Sequence, residues 1–106
     1  MNHTDIDAAS FKNHIEEDAF ILLDVRTDIE FKEGYLRGAK NIDFHHESFE
    51  EIIDGLDKEK RYLVYCRSGN RSRQAMHLMR DLGFEEVHNL AGGIIAWNEL
   101  GFNIEK

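Results

Sequence analysis

Two continuous apolar runs, Phe20-Ile21-Leu22-Leu23 and Tyr62-Leu63-Val64-Tyr65, punctuate the chain, and they end in Asp24 and Cys66 respectively. Unalternated runs of this length suit strands buried on both faces. Elsewhere the apolar positions fall at helical spacing: Phe11 with Ile15, Ile29 to Phe31, Phe49 with Ile52, Ile53 and Leu56, and Ala75 with Met76, Met79 and Leu82. The last of these patterns stops at Gly83, Phe84 to Leu90 reads as a further strand, and Gly92-Gly93 leads into a closing helix through Ile94, Ile95, Trp97 and Leu100. This alternation predicts an α/β domain whose mainly parallel sheet is covered by helices on both faces, with sites at the carboxyl ends of strands. Asp24 and Cys66 occupy two such ends.

Composition narrows the possibilities. The 106 residues, 42% of them hydrophobic, suffice for one core, so residues 1–106 are expected to form a single domain. A net charge of -8 leaves no basic face for nucleic acid or an anionic membrane. No stretch approaches the roughly 18 apolar residues of a membrane span, and Met1-Asn2-His3-Thr4-Asp5 carries no export signal. A soluble, cytoplasmic protein is the expectation. One cysteine can form neither an internal disulfide nor a cysteine-rich metal site, which favours a reducing compartment and calls for an explanation in the sulfur's own chemistry.

That explanation lies in the run Cys66-Arg67-Ser68-Gly69-Asn70-Arg71-Ser72, which joins a strand to a helix. Backbone N–H groups at a helix start lack intrahelical partners and, with the helix dipole, stabilise an anion or a thiolate. Gly69 permits the φ angles of a tight cradle, and Arg67 and Arg71, with Arg73 nearby, add positive charge against the acidic background. A cysteine so placed is expected to titrate below its free value of about 8.5 and act as a nucleophile. The plainer reading is a buried, inert cysteine, but such a residue requires no polar, glycine-containing loop bearing two arginines.

Four segments resemble the single-domain rhodanese (thiosulfate sulfurtransferase) family: Leu22-Leu23-Asp24-Val25-Arg26 with Glu30-Phe31; Gly34 to Ile42; the Cys66 to Ser72 loop; and Leu90-Ala91-Gly92-Gly93 with Trp97. They follow in family order over nearly the whole chain. The resemblance implies a compact rhodanese-like fold with about five strands, the strand before Cys66 lying beside the one ending at Asp24. It also implies a catalytic persulfide on Cys66, with Arg67, Ser68, Gly69, Asn70, Arg71 and Ser72 holding a small anionic donor such as thiosulfate, and no metal or organic cofactor. With no second cysteine to resolve a persulfide, the acceptor must be external: cyanide, a small thiol, thioredoxin or another protein.

The chain departs from the family pattern at Tyr35 and Arg37, where a His and a Pro are usual, so segment 34–42 is assigned to packing. Arg26 and Glu30 are spaced for a local i,i+4 pair. Asp24 is given a structural role beside the loop, Trp97 is assigned to the core, and His45 and His46 are read as solvated. Two rival functions stand beside the sulfurtransferase. A cysteine-dependent phosphatase would need five residues between cysteine and arginine, whereas four separate Cys66 from Arg71. A noncatalytic interaction or sulfur-relay module is the other.

Overall fold

A computed structural model describes residues 2–106. In chain order the elements are β1 (Asn2–Ile6), α1 (Ala8–Glu16), β2 (Phe20–Asp24), α2 (Asp28–Glu33), β3 (Lys40–Asn41), α3 (Phe49–Asp54), β4 (Arg61–Tyr65), α4 (Asn70–Asp81), β5 (Glu86–Leu90) and α5 (Gly93–Glu99). The two apolar runs are β2 and β4, and they pair in parallel from Phe20 opposite Arg61 to Asp24 opposite Tyr65. The sheet order is β1-β5-β4-β2-β3, with every pairing parallel. Cys66 therefore leaves the sheet from its centre, between the ends of β2 and β5.

Both faces of the sheet are covered, as the unalternated strands require. On one, Ala75, Met76 and Met79 of α4 and Phe49 and Ile53 of α3 pack against Leu23, Tyr62 and Val64. On the other, Ala8 and Phe11 of α1 and Trp97 of α5 pack against Leu22, Leu63 and Tyr65. Trp97 is a core residue, edge-on to Phe11. Local chemistry sets the helix starts: Asp7 accepts from the Ser10 N–H at 2.8 Å, and Thr27 with Glu30 forms a capping box at α2.

Two strands escaped the hydrophobic pattern. β1, with the sequence NHTDI, is mostly exposed, and β3 has only two residues. Each is an edge strand whose place is set by its partner's register rather than by its own apolar side chains. The strand expected from Phe84 begins at Glu86, with Phe84 buried ahead of it. Segment 34–42 contributes Leu36 and Ile42 to the core, and the Leu36 N–H donates to the Tyr65 hydroxyl at 3.0 Å. His45 and His46 are exposed.

Candidate active site

The chain leaves β4 at Tyr65, and Gly69 adopts φ +103° to enter α4 at Asn70. That left-handed conformation is one that L side chains rarely adopt. No side chain caps α4. Its open end instead faces the Cys66 sulfur, to which the Gly69 N–H donates at 3.1 Å and the Ser72 hydroxyl at 3.3 Å. Cys66 is 1% exposed and Ser72 fully buried. Burial alone favours the neutral thiol, yet the Ser72 hydroxyl and N–H, with the N–H groups of Gly69 and Ser68, outweigh it and hold the thiol below its ordinary pKa. The sulfur is thus buried among donors and is not merely packed in hydrocarbon.

A loop that turns its N–H groups inward must turn its carbonyls elsewhere. The first turn of α5 receives them: Ile94 N–H donates to the Cys66 carbonyl at 2.9 Å and Ile95 N–H to that of Arg67 at 3.2 Å. Asn89 Nδ2 reaches the Gly69 carbonyl at 3.2 Å while bonding Asp5 at 2.7 Å. This close seating explains Gly93. A Cβ on Gly93 would lie 2.3 Å from the Arg67 carbonyl oxygen and 2.6 Å from that of Cys66.

Charge at this end of the sheet is largely compensated within the protein. Arg71 grips Glu30 through two bonds of 2.8 and 3.0 Å, and Arg73 meets Asp5 at 3.2 Å. Buried Arg26 donates to Asp24 at 2.6 Å and, through the same nitrogen, to the Gly34 carbonyl. The expected Arg26–Glu30 pair is therefore replaced by two others. Asp24 is closer to Arg26 than Glu30 is, and it also takes the Arg26 backbone N–H at 2.9 Å, while Glu30 turns toward the loop. Arg71 holds the Glu30 carboxyl down to about 2, with the Thr27 bonds adding to that effect against partial burial. Arg67 has no carboxylate partner among the described residues.

Of the residues singled out in the sequence, Cys66, Gly69 and Ser72 converge on the sulfur. Arg67, Ser68 and Asn70 have exposed side chains, and Arg71 is half-buried beside Glu30. Sequence reasoning missed the Glu30–Arg71 contact, Asn89 and the α5 amides. Nothing local signals a contact between residues 41 positions apart such as Glu30 and Arg71. Among the described residues no cluster of three or more His, Cys, Asp or Glu side chains could hold a metal.

The family model described as "Rhodanese-like domain" matches residues 7–100. The protein named "Putative sulfurtransferase YtwF" of Bacillus subtilis is 38% identical over 98 residues, covering 92% of each chain. A tRNA uridine(34) hydroxylase of Cytophaga hutchinsonii is 36% identical over 95 residues, but the match spans 87% of this chain and only 30% of that protein. Among solved structures, a rhodanese-related protein from Thermoplasma volcanium superposes with a TM-score of 0.84 at 32% identity, over 96% of this chain and 97% of that one.

Proposed function

The chain belongs to the rhodanese-like family of sulfurtransferases, and on that premise we propose that it moves sulfane sulfur from thiosulfate or a similar donor to an external acceptor through a persulfide on Cys66. The observation that carries the proposal is the hydrogen-bonded sulfur at the start of α4. The Cys66 thiolate attacks the outer sulfur of thiosulfate; a new S–S bond forms as the donor's S–S bond breaks, and sulfite leaves with the electron pair. An acceptor thiolate then attacks the outer sulfur of the Cys66 persulfide, taking it and restoring the Cys66 thiolate. Both steps conserve charge and need no outside oxidant or reductant. In the thiolate form the Gly69 N–H and the Ser72 hydroxyl stabilise the anionic sulfur.

The same arrangement disfavours a phosphatase. In the position where that chemistry requires an arginine, Ser72 aims its hydroxyl at the sulfur, and Arg71 is committed to Glu30. Retention of a donor-surrounded cysteine also favours an enzyme or a sulfur relay over a noncatalytic module. Treatment of the reduced protein with thiosulfate is expected to add one sulfur atom at Cys66 by intact mass, and cyanide to remove it as thiocyanate. Cys66→Ser should keep the fold and lose both steps. A variant that still turned over would refute the persulfide route.

A further inference from the structure

Asn89 lies on β5 directly opposite Asp5 of β1, and its side chain is fully buried. Both protons of its Nδ2 have acceptors: the Asp5 carboxylate at 2.7 Å and the Gly69 carbonyl at 3.2 Å. Reversing the amide would set its oxygen against two oxygens that only accept, so these contacts fix its orientation. Oδ1 has no hydrogen-bond partner among the described residues. An unpaired buried acceptor is destabilising, and a leucine of similar volume would avoid it. What asparagine adds at this position is its pair of donors.

Those donors act on a residue that needs holding. Gly69 stands at φ +103°, and glycine has the widest backbone freedom of any residue. Its N–H donates to the Cys66 sulfur at 3.1 Å, while its carbonyl accepts from the Arg73 N–H at 3.1 Å and from Asn89. The two groups belong to adjacent peptide planes hinged at one Cα, so a carbonyl held by two donors limits where the N–H can point. Asp5 is held in turn by Arg73 Nε at 3.2 Å, which ties β1 to the same turn.

Building on the sulfurtransferase reading, we propose that Asn89 is a positioning residue that aims the Gly69 N–H at Cys66 by tethering the Gly69 carbonyl, with Asp5 of β1 holding the Asn89 amide in place. Asn89 acts through Gly69 and not on the sulfur. An exposed strand at the edge of the sheet thereby contributes to the reactivity of a thiol that leaves from its centre.

Thiolate absorbance against pH, read on the reduced protein without donor, tests this. Burial raises the Cys66 pKa, and the Ser72 donors and the Gly69 N–H lower it. Asn89→Leu removes both Nδ2 donors and should cut the thiolate fraction on the acid side of the titration about threefold, within the range of one neutral hydrogen bond. Phe84→Leu, a core change beyond the far end of α4, should lower the urea midpoint without moving the titration. Asp5→Ala and Asp5→Asn remove the same charge, but only the second keeps an oxygen for the Asn89 amide. Loss of a carboxylate near a thiolate by itself lowers the thiol pKa, so Asp5→Ala should titrate clearly above Asp5→Asn. Asp5 is exposed, so this pair decides the matter even if Asn89→Leu does not fold. The proposal is overturned if Asn89→Leu titrates with the natural protein, if Phe84→Leu shifts the titration as far at an equal loss of stability, or if the two Asp5 variants titrate together. Loading from thiosulfate is read separately by intact mass. In Asn89→Leu it should slow by the same factor at acid pH and converge with the natural rate at alkaline pH. If the natural protein never gains a sulfur, the sulfurtransferase reading fails whatever the titrations show. If it loads and the titrations do not move, that reading stands and the positioning role fails.

Discussion

Replacing Ser72 with alanine removes one hydroxyl from the cradle and leaves its backbone N–H groups in place. The residue is fully buried, and the space vacated by one oxygen atom is too small to admit water, so nothing takes over the 3.3 Å donation to the sulfur. A hydrogen bond to a charged group contributes about 1.5–3 kcal/mol. Sulfur is a diffuse acceptor, and the N–H groups of Ser72, Gly69 and Ser68 remain. The loss is therefore set near the low end, about 1.4 kcal/mol, which is tenfold in the thiolate fraction on the acid side of the titration. The neutral thiol is scarcely affected. Because folding lowers the thiol pKa, the thiolate's contribution to stability is complete above the free-cysteine value of about 8.5 and is lost as pH falls through the folded value. In Ser72→Ala that contribution should shrink by the same ~1.4 kcal/mol. The assay is ultraviolet thiolate absorbance against pH. Cys66 is the only cysteine, so Cys66→Ser provides an exact blank for the thiolate signal. If Ser72→Ala titrates together with the natural protein, the hydroxyl is a spectator and the account of the lowered pKa is wrong.

Glu30→Gln keeps the shape of the Arg71 contact and removes its charge, so loading from thiosulfate should speed up several-fold in stopped-flow as Arg71 becomes available to an anion. The natural carboxyl lies at about 2, below its ordinary 4.5, so its contribution to stability is present above 4.5 and fades as pH falls toward 2. Urea midpoints across that window should fall more steeply in the natural protein than in the variant. Gly93→Ala forces a side chain onto the Arg67 carbonyl at a φ of +61°, and is expected to cost roughly 3 kcal/mol or more by urea denaturation and to raise the thiol pKa. An unchanged midpoint would show that α5 does not seat tightly on the loop.

What could be read from the sequence was what leaves a continuous local pattern. Tyr62 to Tyr65 is apolar at every position because both faces of β4 are covered, and Gly69 marks the turn because the backbone there has positive φ. Asn2 to Ile6 left no such mark: an exposed edge strand needs few apolar side chains, and its pairing is supplied by β5. Partner choice among charges was equally hidden. Arg26 can reach either Asp24 or Glu30 by local spacing, and the contest is decided by Arg71, which only the tertiary fold brings alongside α2. The clamps on the loop were invisible for a related reason. They are backbone amides of Ile94 and Ile95, which any residue other than proline would supply.

The all-parallel register has a consequence for how the protein is made. Thr4 pairs opposite His88, 84 positions later, so the first strand synthesised cannot join the sheet until the fifth has emerged. Such distant closures are slow, because chain entropy is lost before the contact compensates for it. Cys66 likewise leaves the ribosome ahead of Ile94 and Ile95, whose amides hold its loop carbonyls. Until they arrive, the nascent chain carries a cysteine whose loop is not yet clamped. The enhanced acidity of the thiol is thus acquired late in biogenesis, and a nascent chain broken off before Gly92 would release a protein fragment with an unactivated sulfur.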